Sequence, residues 1–469
     1  MNISGGIVIG IILVFVIMGG IGIYTVKKIK NAEDFIIGGR KASPIMVAGA
    51  IVGSCVGSGG TIGTAETAYK MGVVGWWQTL GLGIGCLVLG IGLAQFIYKS
   101  QVETVPQLLE QTYGKKIRSV TAIFSALAIF FSILSQTKGF LPLLRSLIPM
   151  PLELAAAICV FLVLIFVIFG GIFATSIGGL VKIFLILGSL LLSGTIAVIG
   201  MGGFSGMQQT FAEGTWLNMF ARGASKDLAI GLGFVLGMLV TQTYIQAILS
   251  AKDAKAARNG AILACIFTVP VGLFGVAVGM YMRQAFPNIE ASQAFPLFMI
   301  NTFPAVIAGI FIGGLMLAAL GSNAGLVFGV ATMLSRDIYK KVRPKASDKE
   351  MLFVLRALLA IVAGLAGVFA VTKAGELIQT FIFLSFGMRT CVFLVPMLFA
   401  FLYKGRLTNA AGMAAVIAGP VVNIYCNLFT DKSIDPIYTG LAAALIAFIV
   451  TNGIAKYREP AEQAEVKKT

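Results

Sequence analysis

Residues 48–69 read Ala48-Gly-Ala-Ile-Val-Gly-Ser-Cys-Val-Gly-Ser-Gly-Gly-Thr-Ile-Gly-Thr-Ala-Glu-Thr-Ala-Tyr69. The stretch lies in an apolar segment long enough to span a bilayer, yet its middle works against a continuous helix. Gly57, Ser58, Gly59 and Gly60 fall together, and each glycine weakens a helix interior by about 1 kcal/mol relative to alanine. A break in hydrocarbon strands backbone N–H and C=O groups, which is tolerated only where the break lines a cavity or is buried in protein. Discontinuous helices of this kind build solute and ion sites in many secondary transporters. Glu66 stands two turns beyond the break, an acid inside an apolar span, where ionisable groups are rare and usually functional. The competing reading is a Gly-rich helix packed closely through its small residues, with Glu66 merely paired.

The rest of the chain carries the same membrane character. Of 469 residues, 58% are apolar and 12% charged, with a mean hydropathy of +0.95. This composition predicts an all-α polytopic membrane protein in the lipid bilayer. Apolar runs predict about thirteen transmembrane helices: 5–26, 44–71, 74–98, 119–147, 151–170, 176–201, 228–249, 259–282, 304–334, 352–372, 376–402, 408–428 and 437–455. Residues 5–26 are longer than a signal-peptide core and lack a basic leader, so they read as a first span. The net charge of +16 does not point to nucleic acid, because most of the 35 Lys and Arg fall in short loops on one side of these spans. The first loop, with Lys27, Lys28, Lys30, Arg40 and Lys41, fixes that side as cytoplasmic. The expected placement is the cytoplasmic (inner) membrane, with the amino terminus outside and the carboxyl terminus, including the polar tail 456–469, inside.

Several chemistries are disfavoured. The six cysteines all lie in apolar runs, against a disulfide framework or a metal cluster. There is no histidine, the usual proton shuttle. Neither a Walker A loop nor a nucleotide fingerprint is present, and no cluster of acids suggests an enzyme. No cofactor is expected. Transport would therefore be secondary, with Na+ or H+ as coupling ion.

Five motifs in order resemble the sodium/solute symporter family: Asp34-Phe-Ile-Ile-Gly-Gly-Arg40, the Gly57–Glu66 stretch, Gln242-Thr-Tyr-Ile-Gln246, Ser335-Arg-Asp-Ile-Tyr339, and Ala346-Ser-Asp-Lys-Glu350. The last, with the second span, looks similar to the choline-transporter branch. The resemblance runs from about residue 5 to 455. It implies a LeuT-like fold of two inverted five-helix repeats, 44–201 and 228–402. A first helix at 5–26 and two helices at 408–455 would complete one transporter domain, 1–455. It further implies alternating-access symport of a small organic solute, with solute and Na+ meeting at mid-membrane between the second and seventh spans. The family's main sodium site transfers onto the carbonyls of Gly53 and Val56, the Ala318 carbonyl, and a hydroxyl pair that falls on Gly321 and Ser322. One hydroxyl is thus missing. In the sixth span the family's Thr-Asp pair and Gln fall on Gly178, Gly179 and Lys182, so an acid is lost and a lysine gained. Cys55 stands where the choline branch has an aromatic, which removes a wall of a cation–π cage.

The remaining candidates follow from charge and polarity at membrane depth. Arg389, near the middle of the eleventh span, needs a carboxylate, a cavity or an anionic ligand. It is expected either to pair with Glu66 across the outer pathway or to bind a substrate carboxylate. Gln136 and Thr137 in the fourth span, and Thr241, Gln242 and Gln246 in the seventh, are polar groups for a cavity or for helix–helix bonding. The expected solute site is Gly57, Ser58, Gly59, Gly60, Glu66, Gln136, Thr241, Gln242 and Arg389. Lys182 supports an alternative coupling scheme: a tethered ammonium replacing Na+ in a proton-coupled or sodium-independent carrier. A channel or a transporter-like sensor is the alternative of a different class.

Overall fold

The structure, a computed structural model, describes residues 4–26, 40–100, 105–170, 173–212, 214–403, 407–431 and 433–466. Among them the chain is helical, and strand-like pairing is confined to an isolated parallel bridge between Ala42 and Ala251. The bilayer explains the preference, since a helix satisfies its backbone polar groups internally.

The chain opens with α1 (Gly5–Val26), followed by α2 (Pro44–Cys55) and α3 (Thr64–Met71). A π turn, Gly59–Gly63, leads into α3. Next come α4 (Trp77–Val88), α5 (Ala94–Ser100), the short α6 (Val105–Tyr113), α7 (Lys116–Leu147) and α8 (Leu152–Gly170). Then follow α9 (Phe173–Gly200), α10 (Gly203–Thr210), α11 (Ala224–Val240), α12 (Gln242–Leu249), α13 (Ala254–Ala285), α14 (Ala294–Thr302) and α15 (Ala305–Met333). The last four are α16 (Asp348–Thr372), α17 (Ile378–Leu402), α18 (Asn409–Phe429) and α19 (Pro436–Val466).

Among the described residues, eight helices are long and apolar enough to cross a membrane, or up to ten if each of two bent pairs counts as one span. The bends are 67° between α9 and α10 and 45° between α11 and α12. The described helices therefore do not establish thirteen spans. Part of the difference is that the break after Cys55 divides the second expected span and leaves α2 as a short apolar helix.

Packing ranks the helices. In α17, 83% of the span is enclosed by other helices, against 28% for α16 and for α19. So α17 runs through the middle of the bundle, while α16 and α19 present apolar faces outward. Small residues allow the closest crossings: a Cβ on Gly10 of α1 would come within 2.7 Å of the Ile310 nitrogen in α15. The segments that open the two expected repeats, α2–α3 and α11–α12, are both broken. The long α7 packs against α17 and touches the π turn of the first break, and these elements position the site.

Candidate solute and ion site

The first break lies where the glycines put it. Val56 leaves the helix with φ −91° and ψ 75°, and two buried glutamines answer the stranded backbone. Gln136 of α7 uses one oxygen, Oε1, to accept from the Ser58 N–H at 2.9 Å and from the Ser58 hydroxyl at 2.6 Å. Gln78 of α4 is oriented so that its nitrogen donates to the Gly59 carbonyl at 2.9 Å and its oxygen accepts from the Gly60 N–H at 3.1 Å. These approaches need glycine: a Cβ on Gly57 would stand 2.8 Å from Gln136 Oε1, and one on Gly59 2.9 Å from the Gln78 amide. The Thr61 hydroxyl donates to the Gly57 carbonyl at 3.0 Å.

The second break is at Thr241, whose extended backbone (φ −81°, ψ 123°) separates α11 from α12. Its hydroxyl donates to the Gly237 carbonyl at 2.7 Å and so turns a lone pair outward. Arg389 Nη1 donates to that hydroxyl at 3.1 Å, and Nη2 donates to the hydroxyls of Ser132 and Ser385 at 2.5 Å each. The guanidinium is 4% exposed and lies 4.9 Å from the Phe386 ring centre. Ser132 and Gln136 are one turn apart on α7. Arg389 and the Gln136–Ser58 contact thus meet the same stretch of α7, one on each side of a single turn.

The expected Glu66–Arg389 pair is not formed. Glu66 Oε2 accepts from the N–H of Ile378, the first residue of α17, at 2.8 Å. Ile378 is eleven residues before Arg389, roughly 16 Å along the helix at 1.5 Å per residue. The acid sits on a helix N-terminus, where the unpaired N–H groups and the dipole favour negative charge. Nearby, Lys138 Nζ donates to the carbonyls of Lys373, Ala374 and Glu376, beyond the end of α16. Both charges therefore fasten the 373–378 turn. Glu66 also lines an outer cavity of about 360 Å³ with Lys70, Arg145, Glu290, Ser292 and Gly375.

The other expected residues divide. Gln242 Oε1 accepts from the N–H of Val105, at the start of α6, at 2.9 Å, so it braces that helix. Among the expected sodium ligands, Val56 and Ala318 are buried, while Gly53, Gly321 and Ser322 are half-buried. The helices that carry them, α2 and α15, both pack on α9. Lys182, Gly178 and Gly179 fall on α9, and what surrounds them lies outside what the structure describes. Gln78, Ser132, Ser385 and Asn323 were not anticipated. Gln78 had a signal, an amide within an apolar span. The serines had none, since hydroxyls are common in packed membrane helices. Asn323 adjoins Ser322; its Nδ2 donates to the Thr137 hydroxyl at 2.9 Å, and its buried Oδ1 has no partner.

Comparisons with known proteins agree with this architecture. The chain is 26% identical to the sodium/pantothenate symporter of Escherichia coli, covering 95% of this chain and 96% of that one. It is 25% identical to the osmoregulated proline transporter OpuE of Bacillus subtilis, over 96% and 95%. It is 23% identical to the high-affinity choline transporter 1 of Caenorhabditis elegans, over 89% and 77%. Among solved structures, a Na+-coupled sialic acid symporter superposes with a TM-score of 0.78 at 17% identity, covering 96% of this chain and 98% of its own. The nucleobase-cation-symport-1 family transporter Mhp1 gives 0.56 at 15% identity, covering 90% and 95%. These superpositions show the LeuT-like symporter fold. The family model for the sodium:solute symporters matches residues 35–419; the chain belongs to the sodium:solute symporter family, a multi-pass membrane protein for secondary active transport of a small solute coupled to Na+.

Proposed function

We propose that the solute binds between the two helix breaks, with Ser58, Gln136, Thr241 and Arg389 as its polar surroundings, and that alternating access carries it inward with Na+. The observation that supports this is the polar path from break to break: Ser58 to Gln136, one turn of α7 to Ser132, then Arg389 to Thr241. Only elements that leave regular helix offer backbone groups at mid-membrane, and this path ties two of them together. Among relatives whose names state a solute, proline and pantothenate are the first compounds to try.

For the ion, we infer a Na+ site from the carbonyls of Gly53, Val56 and Ala318 and the Ser322 hydroxyl. The non-helical backbone of Val56 supports this placement, since Na+ sites in broken membrane helices draw on unwound carbonyls. The family assignment favours Na+ coupling over the proton-coupled scheme through Lys182, and carrier transport over a channel or sensor. We take 1–455 as one transporter domain, with 44–201 and 228–402 as the inverted repeats. The basic loops support a cytoplasmic-membrane orientation with the amino terminus outside.

Uptake of labelled proline and pantothenate into proteoliposomes, under imposed Na+ or pH gradients, tests this reading. It expects uptake to follow Na+, with Ser322→Ala raising the half-saturating Na+ concentration at least fivefold. Uptake that ignores Na+ and follows the pH gradient alone would overturn it.

A further inference from the structure

Arg389 shows a feature the transport reading alone does not use: it is a buried cation whose contacts are all neutral. Among the described residues, the ion pairs are Arg118 with Glu110 and Asp337, Arg145 with Glu290, Arg222 with Asp227, and Arg343 with Glu350. Arg389 is in none of them. Its partners are three hydroxyls, and the protons of those hydroxyls are already placed. Ser132 donates to Ser385 at 2.7 Å, Ser385 donates to the Ala128 carbonyl, and Thr241 donates to the Gly237 carbonyl. The cradle therefore offers the guanidinium lone pairs and no charge. The Nε–H is buried without any partner.

A guanidinium has five donors and takes a carboxylate bidentately, most readily along the Nε–Nη2 edge. Here that edge holds nothing at Nε and two exchangeable hydroxyls at Nη2. The Phe386 ring, 4.9 Å from the guanidinium, packs in turn on Phe234 at 5.4 Å and Tyr244 at 6.5 Å between ring centres. We propose that Arg389 is the anion receptor of the solute site, and that the solute is a small molecule bearing a carboxylate, with its apolar body against Phe386 and Tyr244. The proposal rests on the site reading above and narrows it to a substrate class. The carboxylate supplies the charge that the fold withholds, and the Ser132 and Ser385 hydroxyls yield Nη2 to it. A quaternary ammonium head would instead meet an uncompensated positive charge.

Thermal unfolding of the detergent-solubilised protein in Na+ tests this, with proline, pantothenate, lactate and pyruvate as probes. The carboxamides of proline and pantothenate serve as uncharged controls and choline as the cationic one. At least one carboxylate is expected to raise the Tm, and its carboxamide to require at least tenfold more ligand for the same shift. Arg389→Met abolishes the shift, and Arg389→Lys retains part of it at higher ligand concentration; the lysine variant also covers the case in which the methionine variant fails to fold. No shift with any carboxylate, or a carboxamide or choline as effective as the acid, overturns the proposal. Binding lost in Gln136→Ala and Thr241→Val but unchanged in Arg389→Met overturns it while leaving the site in place. Binding unchanged in all three variants overturns the site reading as well.

Discussion

Glu66 and Arg389 are both ionisable residues at membrane depth, 5% and 4% exposed, but the fold treats them differently. Glu66 is met by the N–H of Ile378 at a helix N-terminus, and Lys138 by three carbonyls of the turn that precedes it. Backbone groups meet both charges, one N–H for Glu66 and three carbonyls for Lys138. Arg389 has hydroxyl lone pairs, an aromatic face and an unpartnered Nε–H. A buried charge that the fold already answers fastens structure. One held only by neutral groups is placed to receive something that comes and goes. On the reading proposed above, the first belongs to the pathway wall and the second to the solute.

The largest effect follows from removing the receptor. Arg389→Met is expected to cut solute uptake by at least 100-fold with membrane expression within twofold of wild type. This corresponds to about 3 kcal/mol, the scale of a buried charged contact. Arg389→Lys keeps the charge without the bidentate edge and loses roughly tenfold. Normal uptake in the methionine variant would erase the distinction between the two regions.

Next comes the support of the first break. Gln136→Ala strands the Ser58 N–H, at about 1–3 kcal/mol when left buried and unpaired, and leaves the Ser58 hydroxyl only the Ser135 carbonyl at 3.4 Å. Uptake is expected to fall roughly 30-fold, with a lower Tm measured on the purified protein. Wild-type uptake there would show that Ser58 does not need Gln136 to hold the break.

The smallest effect is expected at Glu66. Glu66→Gln keeps an acceptor for Ile378 and loses only the charge at a helix N-terminus, about 1 kcal/mol. Uptake is predicted to stay within about fivefold of wild type, and the change to appear in maximal rate rather than half-saturation. Complete loss of uptake would move Glu66 from the pathway wall into the site.

The sequence makes the first break legible because four adjacent residues, Gly57 to Gly60, lack the means to hold a helix in hydrocarbon. Arg389 and Glu66 are legible as isolated charges in apolar runs, and Thr241 and Gln136 as polar interruptions. Their partners are not legible, since backbone groups answer Glu66 and Lys138, and every residue has those. The expected Glu66–Arg389 pair assumed that a buried acid needs a basic side chain, whereas the Ile378 N–H suffices. Gln242 meets a backbone group in the same way, accepting from the Val105 N–H. Ser132 and Ser385 became informative only once α7 and α17 were placed side by side.

The central claim is that Arg389 is held in place for a ligand and contributes little to the fold without one. An arginine at the middle of a membrane helix costs about 2.5–3.5 kcal/mol on insertion scales, while hydrogen bonds between membrane helices average about 0.6 kcal/mol each. Three hydroxyl contacts do not offset that cost. The decisive measurement is the Tm of Arg389→Met beside wild type, both purified in detergent with Na+ and without solute. The account predicts a Tm equal to or higher than wild type. A clear fall, of the kind produced by breaking a structural ion pair, would contradict it.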